Sequence, residues 1–192
     1  NVTVINEDEL KVDISELTGD EKPENIKIMG NLPYYITTPI IMKLLEDQVR
    51  ADSITIMMQK EVADRIKASP GSKAYGALSV AVQYYCSVEK VADVPKGVFI
   101  PQPNVDSTVL QLNLRKEKPV KPADEKVFFN CVKAAFSQRR KTLLNSMQTL
   151  QGVSKELIRE ILENSGIEPT RRAETLTIEE FAKIANEVDK RL

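Results

Sequence analysis

Asn31-Leu32-Pro33-Tyr34 offers a side-chain amide, backbone carbonyls beside a proline that has no N–H, and an aromatic ring, all within four residues. That set suits activation of an exocyclic aromatic amine. Such a nitrogen has its lone pair delocalised into the ring, and it becomes a nucleophile only when its N–H bonds point at acceptors while it pyramidalises. The Asn31 side-chain oxygen and the Leu32 or Pro33 carbonyl are the candidate acceptors, and Tyr34 is a stacking face for a base taken out of its stack. The same residue types also make an ordinary β-to-α turn, so these four residues alone do not decide between the two.

The elements around the tetrad must position it. Ile26-Lys27-Ile28-Met29-Gly30 has the length and β-branched content of a buried strand, and Gly-Asn followed by Pro-Tyr breaks it into a loop. In open α/β sheets ligands bind at the C-terminal edge of the strands, where this loop would lie. Thr37 or Thr38 is suited to cap the following helix, with Pro39 in its first turn.

Composition narrows the chemistry. The chain has 192 residues, 42% of them apolar, enough for one good core or two modest ones. No apolar run approaches the ~20 residues of a membrane-spanning helix. Cys86 and Cys131 stand without metal-ligand spacing, and no secretory leader pattern opens the sequence, so a cytoplasmic protein is expected. There is no histidine, which excludes histidine-based acid–base, metal and triad chemistry. Transfer to a nucleophile prepared by binding alone remains compatible.

Charge is unevenly divided. Residues 1–118 carry 14 basic and 17 acidic groups, and residues 119–192 carry 13 and 11. From residue 127 to 154 there is no carboxylate, whereas Lys133, Arg139, Arg140 and Lys141 all fall inside. Acidity is set aside where a polyanion would lie.

Taken in order, Val2-Thr3-Val4-Ile5 reads as a short strand followed by an acidic turn with Asp8, and residues 20–25 as a polar connector. Ile40, Ile41, Leu44 and Leu45 mark a helix face; residues 53–58 are the next strand, 60–67 the next helix and 77–85 a buried helix. Residues 87–94 and 107–114 alternate as two strands without a helix between them, an antiparallel pair. The loop joining them holds Phe99 among prolines 101 and 103, which keep it out of the ladder. A charged, proline-punctuated linker at 116–122 sets an expected boundary between a domain at 1–118 and a helical domain at 119–192. There Asp124 caps a first helix, 138–147 continues as a basic second, Ser154 caps a third that ends at Gly166, and Thr177-Ile178-Glu179-Glu180 is a capping box opening the last, with Phe181, Ile184 and Val188 inward. Lys133 and Arg140 would align on such a helix, with Lys141 beside them, to follow a phosphate backbone. Arg139 is counted with these three as an RNA contact, and its alternative is a strut pairing with carboxylates of the first domain.

Six ordered phrases together resemble the small-subunit ribosomal RNA adenine-N6 dimethyltransferase family of bacterial type. They are the tetrad at 31–34, Gln59-Lys60-Glu61-Val62, Ser72-Lys73-Ala74-Tyr75-Gly76, Phe99-Ile100-Pro101-Gln102-Pro103-Asn104-Val105-Asp106-Ser107, Phe136-Ser137-Gln138-Arg139-Arg140-Lys141-Thr142-Leu143 and Arg172-Ala173-Glu174-Thr175-Leu176. The resemblance implies a Rossmann-like class I methyltransferase sheet of α/β type and S-adenosylmethionine as methyl donor, with no metal. It also implies N6,N6-dimethylation of adenines in 16S ribosomal RNA during ribosome biogenesis by a cytoplasmic monomer whose partner is the small subunit. By the same resemblance Asp8 holds the donor's adenine amine, Asn31 serves donor and target, and Phe99 is the second stacking face opposite Tyr34. Without it, Asp8 is a solvated acidic turn and Phe99 a loop phenylalanine tucked into the core. The family's glycine-rich turn has no counterpart here, since the seven glycines stand at 19, 30, 71, 76, 97, 152 and 166. In the family's sheet the first two strands lie between those expected at Val2 and Ile26. The chain is therefore expected to be an N-terminally truncated portion of a longer enzyme, inactive by itself. Two other readings share the fold: a large-subunit methyltransferase of the macrolide-resistance type, and a non-catalytic RNA-binding assembly factor. A DNA adenine methylase fits less well, because those carry an acidic residue where Asn31 stands.

Overall fold

The computed structural model describes residues 2–191. It opens with an extended stretch, exposed at Val2, Val4 and Ile5, that joins no ladder; the strand expected at 2–5 does not form. A β conformation leaves its N–H and C=O groups unpaired unless a neighbouring strand takes them, and none of the described residues does. Next comes a short helix that sequence reading passed over, α1 (Ile14–Thr18). Asp13 caps it by accepting from the Ser15 N–H at 2.8 Å, and Gly19 ends it at φ 53°. The signals were present in Asp13, Glu16 and Gly19.

β1 (Lys27–Asn31) leads into α2 (Thr37–Glu46), and β2 (Ser53–Gln59) into α3 (Lys60–Lys67); after α4 (Ala77–Tyr85) come β3 (Cys86–Val94) and β4 (Ser107–Leu114). The sheet runs β1-β2-β4-β3, with β1 parallel to β2 and both other pairings antiparallel, as expected for the pair at 87–94 and 107–114. Ile54 faces Leu112 and Ile56 faces Leu110 across the central ladder, all four buried. Ile40, Ile41, Leu44 and Leu45 of α2 are buried too, which is the helix face read from the sequence.

Two local expectations are corrected here. β1 is not a buried strand: its residues alternate between exposed and half-buried, and Met29 is 81% exposed, because no described strand pairs on its outer side. Neither Thr37 nor Thr38 caps α2; the cap position is Ile36, and the Thr37 hydroxyl instead donates back to the Pro33 carbonyl at 3.2 Å.

The remaining helices are α5 (Glu125–Phe136), α6 (Leu143–Ser146), α7 (Lys155–Asn164) and α8 (Ile178–Asp189). Asp124, Ser154 and Thr177 cap α5, α7 and α8 as expected, and Gly166 follows α7 at φ 72°. The basic helix expected over 138–147 is replaced by a turn and the single-turn α6. The Leu143 and Leu144 N–H groups go to the carbonyls of Arg171 and Pro169, at 2.8 and 3.1 Å, instead of into a continuing helix.

By contacts the chain divides into Asn1–Ala63 with Tyr85–Arg115, and Asp64–Tyr84 with Lys116–Leu192. The second unit thus takes in a stretch that precedes the linker at 116–122. Its core is aromatic. Tyr84 lies 5.1 Å from Phe128, Phe136 5.7 Å from Phe181 and 6.0 Å from Tyr75, with Tyr75, Tyr84, Phe128 and Phe181 fully buried. Gly71, at φ 84°, donates its N–H to the Glu174 carbonyl, a bend that an L side chain rarely adopts.

α8 begins on an ion pair that doubles as its capping box. Arg171 donates through Nη1 to Glu180 Oε1 at 2.5 Å and through Nη2 to Oε2 at 3.1 Å, while Oε2 accepts the Thr177 N–H at 2.9 Å. The hydrogen bond from Arg171 holds the Glu180 carboxyl below its ordinary value. Between the lowered folded value and the ordinary unfolded one, the unfolded chain binds more protons. The contribution is therefore present above the ordinary carboxylate range and disappears as pH falls through the folded value. Melting temperature followed from pH 7 to pH 3 should fall less steeply for Glu180→Gln than for the wild type. Equal slopes would mean that this pair is silent in acid unfolding.

Candidate active site

The site is built at the end of β1. Leu32 folds back over Gly30, with its Cγ 3.2 Å from where a Cβ at Gly30 would sit, so a larger residue there would push Leu32 out of place. The chain then turns: the Ile36 N–H reaches the Pro33 carbonyl at 3.1 Å, and the Thr37 hydroxyl reaches the same oxygen at 3.2 Å. Both lone pairs of that carbonyl are thereby engaged. Among the described residues nothing donates to the Leu32 carbonyl, so of the two candidate carbonyls it is the one left to accept from a ligand.

Tyr34 is fixed from below. Its hydroxyl lies 2.7 Å from Oγ of Ser107, a fully buried residue at the start of β4, in register with Gln59 on one side and Val94 on the other. The loop carrying Phe99 is tied to the same place by Asp106, whose Oδ1 accepts the Lys96 N–H at 2.9 Å and whose carbonyl accepts the Lys60 N–H at 3.0 Å. Phe99 itself is half-buried, and its neighbour Ile100 is fully exposed.

These pieces enclose one open pocket of ≈ 310 Å³, lined by Asn31, Leu32, Pro33 and Tyr34 together with Met57, Phe99, Pro101 and Pro103. All five residues expected to act on the target base therefore lie around a single pocket. Met57 was not foreseen. Its signal was its place in β2, opposite Asn31 in the parallel ladder and one residue from the buried Met58, so that it faces the other way.

Asp8 is not among the lining residues. It lies in an exposed turn, accepting the Leu10 N–H at 3.1 Å through Oδ1, with Lys11 Nζ 3.8 Å from its other oxygen. Both cysteines are free and buried, and burial pushes each thiol up to about 12, so neither is a nucleophile at neutral pH.

The four basic residues do not lie on one helix. Lys133 projects from α5, whereas Arg139, Arg140 and Lys141 lie in the turn that follows it. Arg139 is a strut, although its partners are not carboxylates: its Nη2 donates to the backbone carbonyls of Lys73 and, at 3.0 Å, Tyr75. Arg140 and Lys141 are exposed. Among the described residues, no helix is long and apolar enough to cross a membrane.

Known proteins resemble this chain over nearly its whole length. The family described as ribosomal RNA adenine dimethylase matches residues 1–190. A protein of Clostridioides difficile (strain 630) named ribosomal RNA small subunit methyltransferase A is 53% identical over 193 residues, covering 100% of this chain and 67% of the relative. One of the same name from Oceanobacillus iheyensis is 51% identical over 190 residues, covering 97% and 65%. The chain thus spans about two thirds of the length of these relatives. Among solved structures, a dimethyladenosine transferase from Plasmodium falciparum superposes with a TM-score of 0.74 at 25% identity, over 90% of this chain and 70% of that one. The 23S rRNA methyltransferase ErmE shares the fold, with a TM-score of 0.60 at 22% identity over 91% and 69%. The phrases around the pocket and the match over nearly the whole sequence thus agree: this chain belongs to the ribosomal RNA adenine dimethylase family.

Proposed function

We propose that the full-length protein transfers methyl groups from S-adenosylmethionine to N6 of adenines in 16S ribosomal RNA, converting them to N6,N6-dimethyladenine. The observation that carries this reading is the pocket gathering Asn31, the uncommitted Leu32 carbonyl, Tyr34 and Phe99. The Asn31 side-chain oxygen and the Leu32 carbonyl accept the two amine hydrogens and draw the nitrogen toward a tetrahedral shape. Tyr34 and Phe99 hold the ring, and Met57, Pro101 and Pro103 exclude water beside it. A singly methylated amine keeps one N–H for one acceptor, so the same site takes a second methyl. Positioning and fixed dipoles supply most of the rate in such a scheme. When bound, the donor would supply an electrophilic methyl group, its S–CH3 bond breaking as the N–CH3 bond forms, with S-adenosylhomocysteine as the leaving group and one amine proton lost to water. Among the described residues the exposed Asp8 carboxylate accepts one hydrogen bond, from the Leu10 N–H, and lies 3.8 Å from Lys11 Nζ, so it retains lone pairs for the donor's adenine amine; in this reading Asn31 borders both ligands.

Incubating the full-length protein with methyl-labelled S-adenosylmethionine and each isolated ribosomal subunit tests the proposal. Label is expected in dimethyladenine of small-subunit RNA. Label in large-subunit RNA would assign the other substrate, and its absence from both, with no heat of donor binding, would make the protein an assembly factor.

Ser107 acts here as a positioning residue, through Tyr34. Ser107→Ala and Tyr34→Phe should each lower kcat about 10-fold, with subunit affinity unchanged, and the double variant should lose no more than either single one. Full activity in both single variants would show that the hydroxyl pair does not set the ring. Arg140 and Lys141 meet phosphates in this reading. Their joint replacement by alanine should weaken subunit binding and reduce the salt slope by about two units; an unchanged slope would remove them from the interface.

A further inference from the structure

A second cavity, of ≈ 500 Å³, opens beside α5 in the helical unit. Asn130, Lys133 and Ala134 border it from α5, Leu150 and Gln151 from the segment after α6, and Val188 from α8. Two layers can be told apart. Ala134 and Val188 are buried and Leu150 is half-buried, giving an apolar floor. Asn130, Lys133 and Gln151 are exposed at the rim, and none of the three has a hydrogen-bond or ion-pair partner among the described residues.

The chemistry of that rim is selective. A carboxamide presents two donors and an acceptor, the complement of a nucleobase edge, whereas an ammonium presents donors only and suits a phosphate. Every residue of the wall except Val188 lies within 127–154, the stretch that holds no carboxylate. An anion entering there meets no like charge from the wall. A cation or a basic peptide would find no counter-charge. A free phosphate would satisfy Lys133 and leave both amides and the floor unused. The volume lies within the ~300–1,000 Å³ common for small-ligand sites.

We propose that this cavity is a subsite for one unstacked nucleotide of an RNA strand. The base lies on Leu150 and Val188, its edge is bonded by the Asn130 and Gln151 amides, and its phosphate is paired with Lys133. Single-stranded bases are splayed out and read at their edges in this manner. The inference rests on RNA being the partner, as in the proposed function, and adds to it a second reading point, in the helical unit.

The test uses the full-length protein and isolated small subunits at several salt concentrations, with Asn130→Ala combined with Gln151→Ala. Both residues are exposed and unpartnered, so an unchanged melting temperature is expected. Subunit affinity should fall about 10- to 30-fold with an unchanged salt slope, since only uncharged contacts are lost. Lys133→Ala should instead lower the slope by about one unit. Wild-type binding with no change in either variant overturns the subsite and leaves the methyltransferase reading standing; absence of wild-type binding overturns both. Independently of any variant, adenosine, cytidine, guanosine or uridine 5′-monophosphate should shift the Asn130 and Gln151 side-chain amide resonances of this chain, and ribose 5-phosphate should not. Equal shifts with ribose 5-phosphate would reduce the cavity to a phosphate site and refute base recognition.

Discussion

Asn31→Ala in the full-length protein is expected to slow methyl transfer by about 10²- to 10³-fold in single turnover, the loss typical of removing one preorganised dipole from a developing charge. The interaction strengthens as the amine gives up its conjugation, so the loss belongs in the chemical step and not in substrate affinity. Subunit binding should stay within about twofold, because Asn31 is uncharged and is not one of the residues proposed to meet phosphates. Stability should also hold. Asn31 is exposed at the last position of β1 and contributes nothing to the core. Asn31→Asp keeps an acceptor in place and should recover part of the rate. Wild-type turnover in the alanine variant would remove Asn31 from the mechanism and leave the Leu32 carbonyl as the principal acceptor.

Phe181→Ala should have the largest effect on stability. The ring is fully buried on α8, 5.7 Å from Phe136 of α5, and Phe136 is in turn 6.0 Å from Tyr75. Truncation leaves a cavity among rigid rings that cannot close over it. Losses of about 3–5 kcal/mol are usual for such sites. In a chain of this size that corresponds to a fall in melting temperature on the order of 10 °C, measurable by circular dichroism at 222 nm. A fall of only a degree or two would mean that α5 and α8 re-pack around the gap.

Much of this arrangement was legible in the residues themselves. The strand before Asn31, the helix face at Ile40 to Leu45, the caps at Asp124, Ser154 and Thr177 and the paired strands ending at Val94 and Leu114 are all set by local pattern, and local pattern is what a sequence displays. Errors arose where distant partners decide. β1 was expected to be buried, yet burial depends on what lies beside a strand, and its outer side has no described neighbour. The segment 138–147 has good helix-forming residues, but the carbonyls of Pro169 and Arg171 claim the N–H groups of Leu144 and Leu143. Within the site, Tyr34 was visible as a ring near an amide. Its anchor on Ser107, 73 residues away, and the facing of Met57 needed the ladder register.

The excursion of residues 64–84 into the helical unit bears on how this protein can be taken apart. A fragment cut at the proline-rich linker would carry α5 without the Tyr84 ring against Phe128 and without the hydrogen bond from the Tyr84 hydroxyl to Glu125 at 3.0 Å. Arg139 would also lose both of its carbonyl partners, in Lys73 and Tyr75. Each unit is sewn from two separated lengths of chain. Transplanting the helical part onto another scaffold, or deleting it from this one, therefore calls for two junctions around 63/64 and 84/85 as well as one at 115/116, a requirement that also resists the loss of either half by a single recombination event.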